Sequence, residues 1–144
     1  MSQKTLSLER QAQKTLVVYI DGACKGNPGH GGWAFCSVDG VWEGSGHSSF
    51  ATNNEMEMMA ALETMKSVPP GSIVQFVTDS KLIIGWLSQG WKCSTNPKIP
   101  PMIKEYFRYR QEKNLEVSFQ WVKGHNGDRY NGYVDSIASQ RCKG

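Results

Sequence analysis

The stretch TLVVYIDG, residues 15–22, decides the fold, because an almost continuous apolar run ends on a carboxylate and a glycine. A run that is apolar at nearly every position is typical of a strand covered on both faces. An acid at the tip of such a strand lies where open α/β sheets bind ligands, although Asp-Gly is also a common turn. We predict a central strand over residues 15–20, with Asp21 as a candidate site residue.

Working outward, the pattern predicts three consecutive strands and then helices that alternate with strands. After a Gly/Pro turn at residues 25–29, a hairpin around Asp39-Gly40 joins strands 32–38 and 41–50. Helices are predicted at 54–68, 81–87, 101–113 and 130–141, strands at 73–77 and 115–122, and an irregular basic loop at 90–100. Hairpins make the first strands antiparallel, and a helical crossover makes the next strand parallel. We expect an α/β domain over residues 15–144 with a mixed sheet, after a polar lead-in of residues 1–14.

Size and composition favour an intracellular single domain of 144 residues with a mean hydropathy of −0.46. No apolar run approaches the roughly 18 residues of a membrane span, and the first residues lack the apolar core of a signal peptide. We expect a cytoplasmic monomer without membrane contact or an obligate protein partner. The cysteines lack the paired spacing of zinc ligands and are interpreted as small, mostly buried side chains: Cys24, Cys36, Cys93 and Cys142.

Charge is distributed unevenly along the chain. Residues 1–80 hold 5 Lys/Arg and 8 Asp/Glu, whereas residues 81–144 hold 11 Lys/Arg and 5 Asp/Glu. An acidic half beside a basic half suits an enzyme that binds cations and a polyanionic substrate. Scatter over a solvated surface would give the same counts, so the asymmetry alone barely favours function.

Four acids stand in distinctive local patterns: Asp21, Glu57, Asp79 and Asp135. Two follow apolar runs, and two are expected in the first turns of helices, where a dipole contact is the simpler explanation. Asp79 also fits the N-cap of the next helix. Carboxylates buried together require neutralising cations, and Mg²⁺ is the natural partner of an all-oxygen cluster. The set predicts a metal-dependent phosphoryl-transfer enzyme if the four acids converge in space.

Two glutamates compete for one of these positions. Thr52-x-x-Glu55 forms a capping box, and Asn54-x-x-Glu57 fits a cap as well. Glu57, however, shares a helix face with small residues that allow close approach to the sheet, namely Ala60, Ala61 and Thr64. Glu55 lies about 200° away around the helix. We assign Glu55 to capping and Glu57 to the site.

Four stretches in order resemble the type 1 ribonuclease H family: YIDGACKGNPGHGGWAF (19–35), TNNEMEMMAALE (52–63), FVTDS (76–80) and VKGHNGDRYNGYVDSIA (122–138). The resemblance spans about residues 15–140, and the ordered set is specific where a lone DG or TDS is not. It implies the ribonuclease H-like fold, a five-stranded mixed sheet flanked by helices. It also implies endonucleolytic cutting of the RNA strand of RNA/DNA hybrids, with 5′-phosphate and 3′-hydroxyl products.

The resemblance assigns roles to residues. The four acids fall on the family's metal ligands, with two Mg²⁺ ions, or Mn²⁺ in their place, as the cofactor. Asp21 is the candidate to bridge the ions, and His125, otherwise a polar loop histidine, falls on the catalytic-loop histidine. Hybrid contacts are expected at Asn27, Thr52, Asn53 and Asn54, and a reduced basic surface at Lys81, Trp91, Lys92 and Lys98.

Some positions depart from the family pattern and leave other interpretations open. Residues 80–90 are shorter than the basic protrusion of bacterial relatives, which predicts weaker hybrid affinity or a steeper salt response. Glu55 stands where a basic residue is common, and Lys81 where a neutral amide is common. The alternatives are a non-catalytic nucleic-acid-binding module and another nuclease on this fold. The complete acid set with His125 argues against the first, and the TNN and GHNG stretches against the second.

Overall fold

The sheet and helices of the computed structural model agree with the predicted architecture; the model describes residues 14–124 and 127–143. Within them a five-stranded sheet carries four helices: β1 Leu16–Lys25, β2 Gly29–Ser37, β3 Glu43–Ala51, α1 Asn53–Ser67, β4 Ile73–Thr78, α2 Lys81–Ser88, α3 Ile99–Glu112, β5 Glu116–Trp121 and α4 Arg129–Arg141. The strand order is β3-β2-β1-β4-β5. β2 pairs antiparallel with β1 and β3, and β4 pairs parallel with β1 and β5. The predicted mixed sheet is confirmed.

The predicted lead-in lies outside the described residues except for Lys14. Among the helices that the structure does describe, none has the length and apolar character needed to cross a membrane.

Polar side chains fix where three helices begin. Thr52 is the N-cap of α1, and its Oγ1 accepts the N–H of Glu55 at 3.2 Å, which confirms the capping assignment of this pair. Ser80 caps α2 and accepts the N–H of Ile83 at 3.3 Å, so Asp79 is not the N-cap. Asp128 caps α4 in the same way.

Two predicted boundaries are wrong for identifiable reasons. β1 does not stop at Ile20 but continues to Lys25, because residues 18–25 pair with β2. Asp21 therefore lies inside a strand and not at its tip. α3 begins at Ile99, two residues before the predicted start, since Pro100 and Pro101 occupy the first turn, where a missing N–H costs no helical hydrogen bond.

The sheet is covered on both faces. Val18 and Ile20 of β1 are fully buried in the larger core with α1, whereas Tyr19 and Ala23 belong to a smaller cluster with α4. This alternation is the period of two that a strand imposes on its side chains. The cysteines are all free, two of them buried and two partly buried: Cys36 and Cys142, and Cys24 and Cys93.

Two glycines let the helices approach the sheet closely. A Cβ built on Gly22 would lie 2.4 Å from the backbone N of Glu57 and 2.6 Å from the carbonyl carbon of Met56. On Gly32 of β2 it would lie 2.1 Å from the carbonyl oxygen of Ala138 in α4. Side chains at these positions would push α1 and α4 away from the strands. The residues that these helices carry would be displaced with them.

We predict that Gly22→Ala destabilises the protein by about 2–4 kcal/mol, because backbone atoms cannot move aside as a flexible side chain can. Gly132→Ala is the matched control, since its Cβ would meet no atom within 4 Å and it lies within α4. This control is expected to gain up to about 1 kcal/mol from helix propensity. Urea denaturation measures both changes, and equal stabilities for the two variants would contradict the close approach at Gly22.

Candidate active site

Three of the four predicted acids converge. One carboxylate oxygen from each of Asp21, Glu57 and Asp79 lies within 4.8 Å of the others. Asp21 is 4% exposed and Glu57 is 7% exposed, whereas Asp79 is partly buried. β1, α1 and the end of β4 each supply one acid, so the cluster forms only when the sheet and α1 are assembled.

The pairing register explains why these acids can meet. The pairing of β1 with β4 ends at Tyr19 and Val77, and in the described part of the chain β1 pairs beyond that point only with β2. The sheet therefore opens beside Asp21, and Asp79 follows the last residue of β4 at this opening. Because Gly22 has no side chain, α1 lies close enough for Glu57 to reach Asp21. A topological opening at the ends of parallel strands is where α/β sheets bind ligands.

Asp135 joins the cluster electrostatically but lies outside the group of three. It is partly buried, and its charge is among the causes that raise the pKa of Asp21. The expectation that Glu57 and Asp135 lie in the first turns of helices is wrong. They are the fifth residue of α1 and the seventh of α4, past the turn in which a helix dipole stabilises an acid.

Burial and mutual repulsion dominate the electrostatics. Burial above all, together with the charges of Asp79 and Asp135, raises the pKa of Asp21 to about 7. Burial, followed by the charge of Asp21, raises the pKa of Glu57 well above its usual range. Their side chains are in hydrogen-bond contact, and the pKa of both groups is raised above its usual value. Without cations the pair therefore avoids carrying two full charges.

The donor set fits a divalent cation. Oε2 of Glu57 is buried and has no hydrogen-bond partner among the residues that the structure describes. An orphaned carboxylate oxygen deep in a protein is costly unless something else satisfies it. An all-oxygen set of carboxylates is the coordination that Mg²⁺ and Mn²⁺ prefer. The cluster is thus suited to hold a hard cation beside Glu57.

Two supports of Asp79 were missed by sequence reasoning. Nε1 of Trp121 in β5 donates to the carbonyl oxygen of Asp79 at 3.1 Å. A Cβ on Gly124 would lie 2.9 Å from Oδ2 of Asp79, so only glycine fits there without displacing the carboxylate. At the sequence level Gly22 was considered only as half of a possible Asp-Gly turn. A glycine inside a strand next to an acid is a signal of close backbone approach that could have identified it.

The predicted substrate residues lie in three groups, of which the first is at the start of α1 and the second is near Asp79. Oδ1 of Asn27 accepts the backbone N–H of Asn53 at 3.1 Å, which joins the β1–β2 turn to the start of α1, beside Thr52 and Asn54. Nζ of Lys81 lies 4.6 Å from the ring of Trp121, and thus near Asp79 rather than near Asn53.

The remaining predicted contacts lie on the segment between α2 and α3. Trp91 is 48% exposed, and its ring covers Gly85 of α2. Lys92 is exposed, and Nζ of Lys98 lies 3.6 Å from Oε1 of Glu55. The predicted catalytic His125 lies outside the described residues.

The fold and site together define the class of this protein: a ribonuclease H-like α/β fold with a carboxylate centre at the opening of its sheet. Three solved structures share the fold. The N-terminal RNase H domain of a Mycobacterium tuberculosis protein, fused to maltose binding protein, has a TM-score of 0.75 at 21% identity and covers 91% of this chain and 95% of its own. RNase H1 from Halobacterium salinarum has a TM-score of 0.71 at 24% identity, covering 90% and 98%. LC11-RNase H1, solved in complex with an RNA/DNA hybrid, has a TM-score of 0.74 at 20% identity, covering 89% and 96%.

Sequence comparison then gives the family. The RNase H family model matches residues 13–143. Ribonuclease H of Cupriavidus metallidurans is 37% identical over 137 residues, covering 87% of this chain and 93% of that protein. Ribonuclease H of Ralstonia nicotianae is 38% identical over 137 residues, covering 87% and 89%. The chain belongs to the ribonuclease H family and is an enzyme of the ribonuclease class.

We predict that Asp21→Asn stabilises the cation-free protein at about pH 8 by on the order of 2–3 kcal/mol, because it removes a charge from the buried cluster. Folding raises the pKa of Asp21 from 3.8 to about 7. Such a shift lowers the free energy of unfolding as the pH rises from the lower value to the higher one. The wild-type free energy of unfolding in EDTA should therefore fall more steeply between about pH 5 and about pH 8 than that of the variant.

Urea denaturation in EDTA at both pH values provides the measurement. Asp39→Asn is the matched control, since Asp39 is an exposed turn residue that an asparagine can replace. If Asp21→Asn were no more stable than wild type at the higher pH, the electrostatic description of the cluster would be wrong.

Proposed function

We propose that this enzyme is an endoribonuclease that hydrolyses the RNA strand of RNA/DNA hybrids at the carboxylate cluster, leaving 5′-phosphate and 3′-hydroxyl ends. The observation that carries the proposal is the meeting of Asp21, Glu57 and Asp79 within 4.8 Å in a member of the ribonuclease H family. The orphaned Oε2 of Glu57 supports a cation as part of the working site. The hybrid as substrate is supported by the complex in which LC11-RNase H1 was solved.

The four acids have different proposed roles in binding cations. Asp21 lies within the central strand and interacts with the other three acids, which would suit it to bind both ions. Glu57 and Asp79 would complete the ligands of one ion, and Asp135 from α4 would bind the other. Bound Mg²⁺ or Mn²⁺ supplies the charge that activates a water and stabilises the leaving 3′ oxygen of an in-line displacement. His125 keeps its predicted role in proton transfer or release of the cut strand.

Recognition of the RNA strand is assigned to the polar start of α1 and the neighbouring turn. Side-chain amides of Asn27, Asn53 and Asn54 can donate to and accept from 2′-hydroxyls, the groups that distinguish RNA from DNA in a shallow minor groove. Lys81, Lys92 and Lys98 are exposed cations that can contact phosphates. Their contribution should depend on salt, as phosphate contacts do.

The experiment is cleavage of an end-labelled RNA/DNA hybrid with Mg²⁺ and with EDTA, beside single-stranded RNA, duplex RNA and duplex DNA. We expect metal-dependent cutting of the RNA strand of the hybrid alone. Asp21→Asn should lower the rate by on the order of a thousandfold or more, because it removes a shared ligand. Asp39→Asn, the same chemical change at an exposed turn, should retain wild-type activity.

The product ends distinguish the mechanism. A 5′-phosphate and a 3′-hydroxyl indicate attack by water, whereas a 2′,3′-cyclic phosphate would indicate attack by the neighbouring 2′-hydroxyl and contradict the proposal. Hybrid binding without cutting under any divalent ion would leave a recognition module. Cutting of duplex DNA would favour another nuclease on the same fold.

A further inference from the structure

The segment between α2 and α3, residues 89–98, is fastened at both ends; we call it the α2–α3 loop. At its start, the N–H of Trp91 donates to the carbonyl oxygen of Gly85 at 3.0 Å. The indole also covers Gly85 so closely that a Cβ there would lie 2.0 Å from a ring carbon. The far end of the loop is held not by α2 but by α1, through Asn96.

Glu55 is the residue of α1 that binds Asn96 of the loop. It is 7% exposed, and its Oε2 accepts from Nδ2 of Asn96 at 2.9 Å and from Oγ1 of Thr52 at 2.8 Å. Oδ1 of Asn96 accepts the N–H of Lys98 at 3.0 Å. The side-chain nitrogen of Asn96 therefore donates to α1, and its side-chain oxygen accepts a hydrogen bond within its own loop. An aspartate would keep the second bond and lose the first.

The amide–carboxylate bond, rather than the ion pair, holds this contact. Nζ of Lys98 lies 3.6 Å from Oε1 of Glu55, but the lysine side chain is 61% exposed, and exposed pairs contribute little. Hydrogen bonds that a carboxylate accepts are of the stronger, charge-assisted kind.

Three segments of the predicted substrate surface meet near the Glu55–Asn96 contact: the β1–β2 turn, the start of α1 and the α2–α3 loop. Thr52 precedes Asn53, whose N–H is bound by Asn27 of the β1–β2 turn. Lys98 extends from the contact with its Nζ 5.9 Å from the exposed ring of Phe50 at the end of β3. Displacing the α2–α3 loop would therefore move Lys98 relative to the Asn27–Asn53 pair without altering the carboxylate cluster.

We propose that Glu55 is a positioning residue that, through Asn96, holds the α2–α3 loop against the start of α1 and so sets the spacing between Lys98 and the Asn27–Asn53 pair. This proposal rests on the proposed function, because that spacing matters only if the surface binds a duplex. Glu55 is not a member of the group formed by Asp21, Glu57 and Asp79. Its loss should weaken substrate binding and leave the chemical step intact.

A donor–acceptor exchange tests the proposal. Asn96→Asp places two carboxylates against each other and should raise KM about tenfold with kcat changed less than about twofold. Glu55→Gln keeps an oxygen for Asn96 and should lie within about threefold of wild-type KM, given the small value of the exposed ion pair. In Glu55→Gln/Asn96→Asp the new amide can donate to the new carboxylate, so KM should return to within about threefold of wild type.

The matched control is Glu63→Gln, which removes a charge and the Lys66 ion pair from the same helix away from the loop. It should leave KM unchanged. Failure of the double variant to recover would overturn the proposal. So would a KM for Glu55→Gln as high as that for Asn96→Asp, because this would assign the effect to charge alone.

Amide hydrogen exchange separates this inference from the proposed function. Residues 89–98 should exchange faster in Asn96→Asp and recover protection in the double variant, whatever the enzyme cuts. If the wild type fails to cut the hybrid while exchange follows this pattern, the proposed function is wrong and the loop contact stands. If the wild type cuts the hybrid while exchange and KM are the same in all variants, the positioning role is wrong.

Discussion

The contact between Asp21 and Glu57 is the constraint on which the rest of the structure depends. Two carboxylates buried side by side repel each other and lack the water that would solvate them, so the contact costs stability on its own. The fold nevertheless enforces it. Gly22 allows α1 to pack closely on the sheet. The sheet opens where the pairing between β1 and β4 ends, and Trp121 binds the backbone of Asp79 at this opening. Stability is given up at the position where the proposed cation chemistry requires charge.

Local patterns were enough to predict the parts of the fold whose cause is local. Continuous apolar runs predicted β1 and β4, and capping side chains predicted the start of α1. The small residues beside Glu57 distinguished it from Glu55, and the cluster confirms that the two acids have different surroundings. By contrast, the part of β1 from Asp21 onward was missed because its residues are polar or small and become a strand only by pairing with β2.

The features that sequence could not predict are those made by distant partners. Nothing near Trp121 indicates that its indole meets the carbonyl of Asp79, 42 residues away. Likewise, the capping role of Glu55 was local and predictable, whereas its bond to Asn96, 41 residues away, was not. Contacts of this kind adjust a site whose general position the strand order already determines. The family resemblance provided the ordered set of acids but did not predict the Trp121–Asp79 contact or the Glu55–Asn96 contact.

The central claim is that the carboxylate cluster acts on the scissile phosphate through bound divalent ions. Its most direct test is a hybrid in which sulfur replaces one non-bridging oxygen of a single scissile phosphate. Because sulfur is a softer ligand than oxygen, cleavage at that position should be slow with Mg²⁺ and recover with Mn²⁺ or Cd²⁺. Asp21→Asn should cut slowly with every ion. Equal rates at the sulfur and oxygen positions with Mg²⁺, or cutting that persists in EDTA, would contradict the claim.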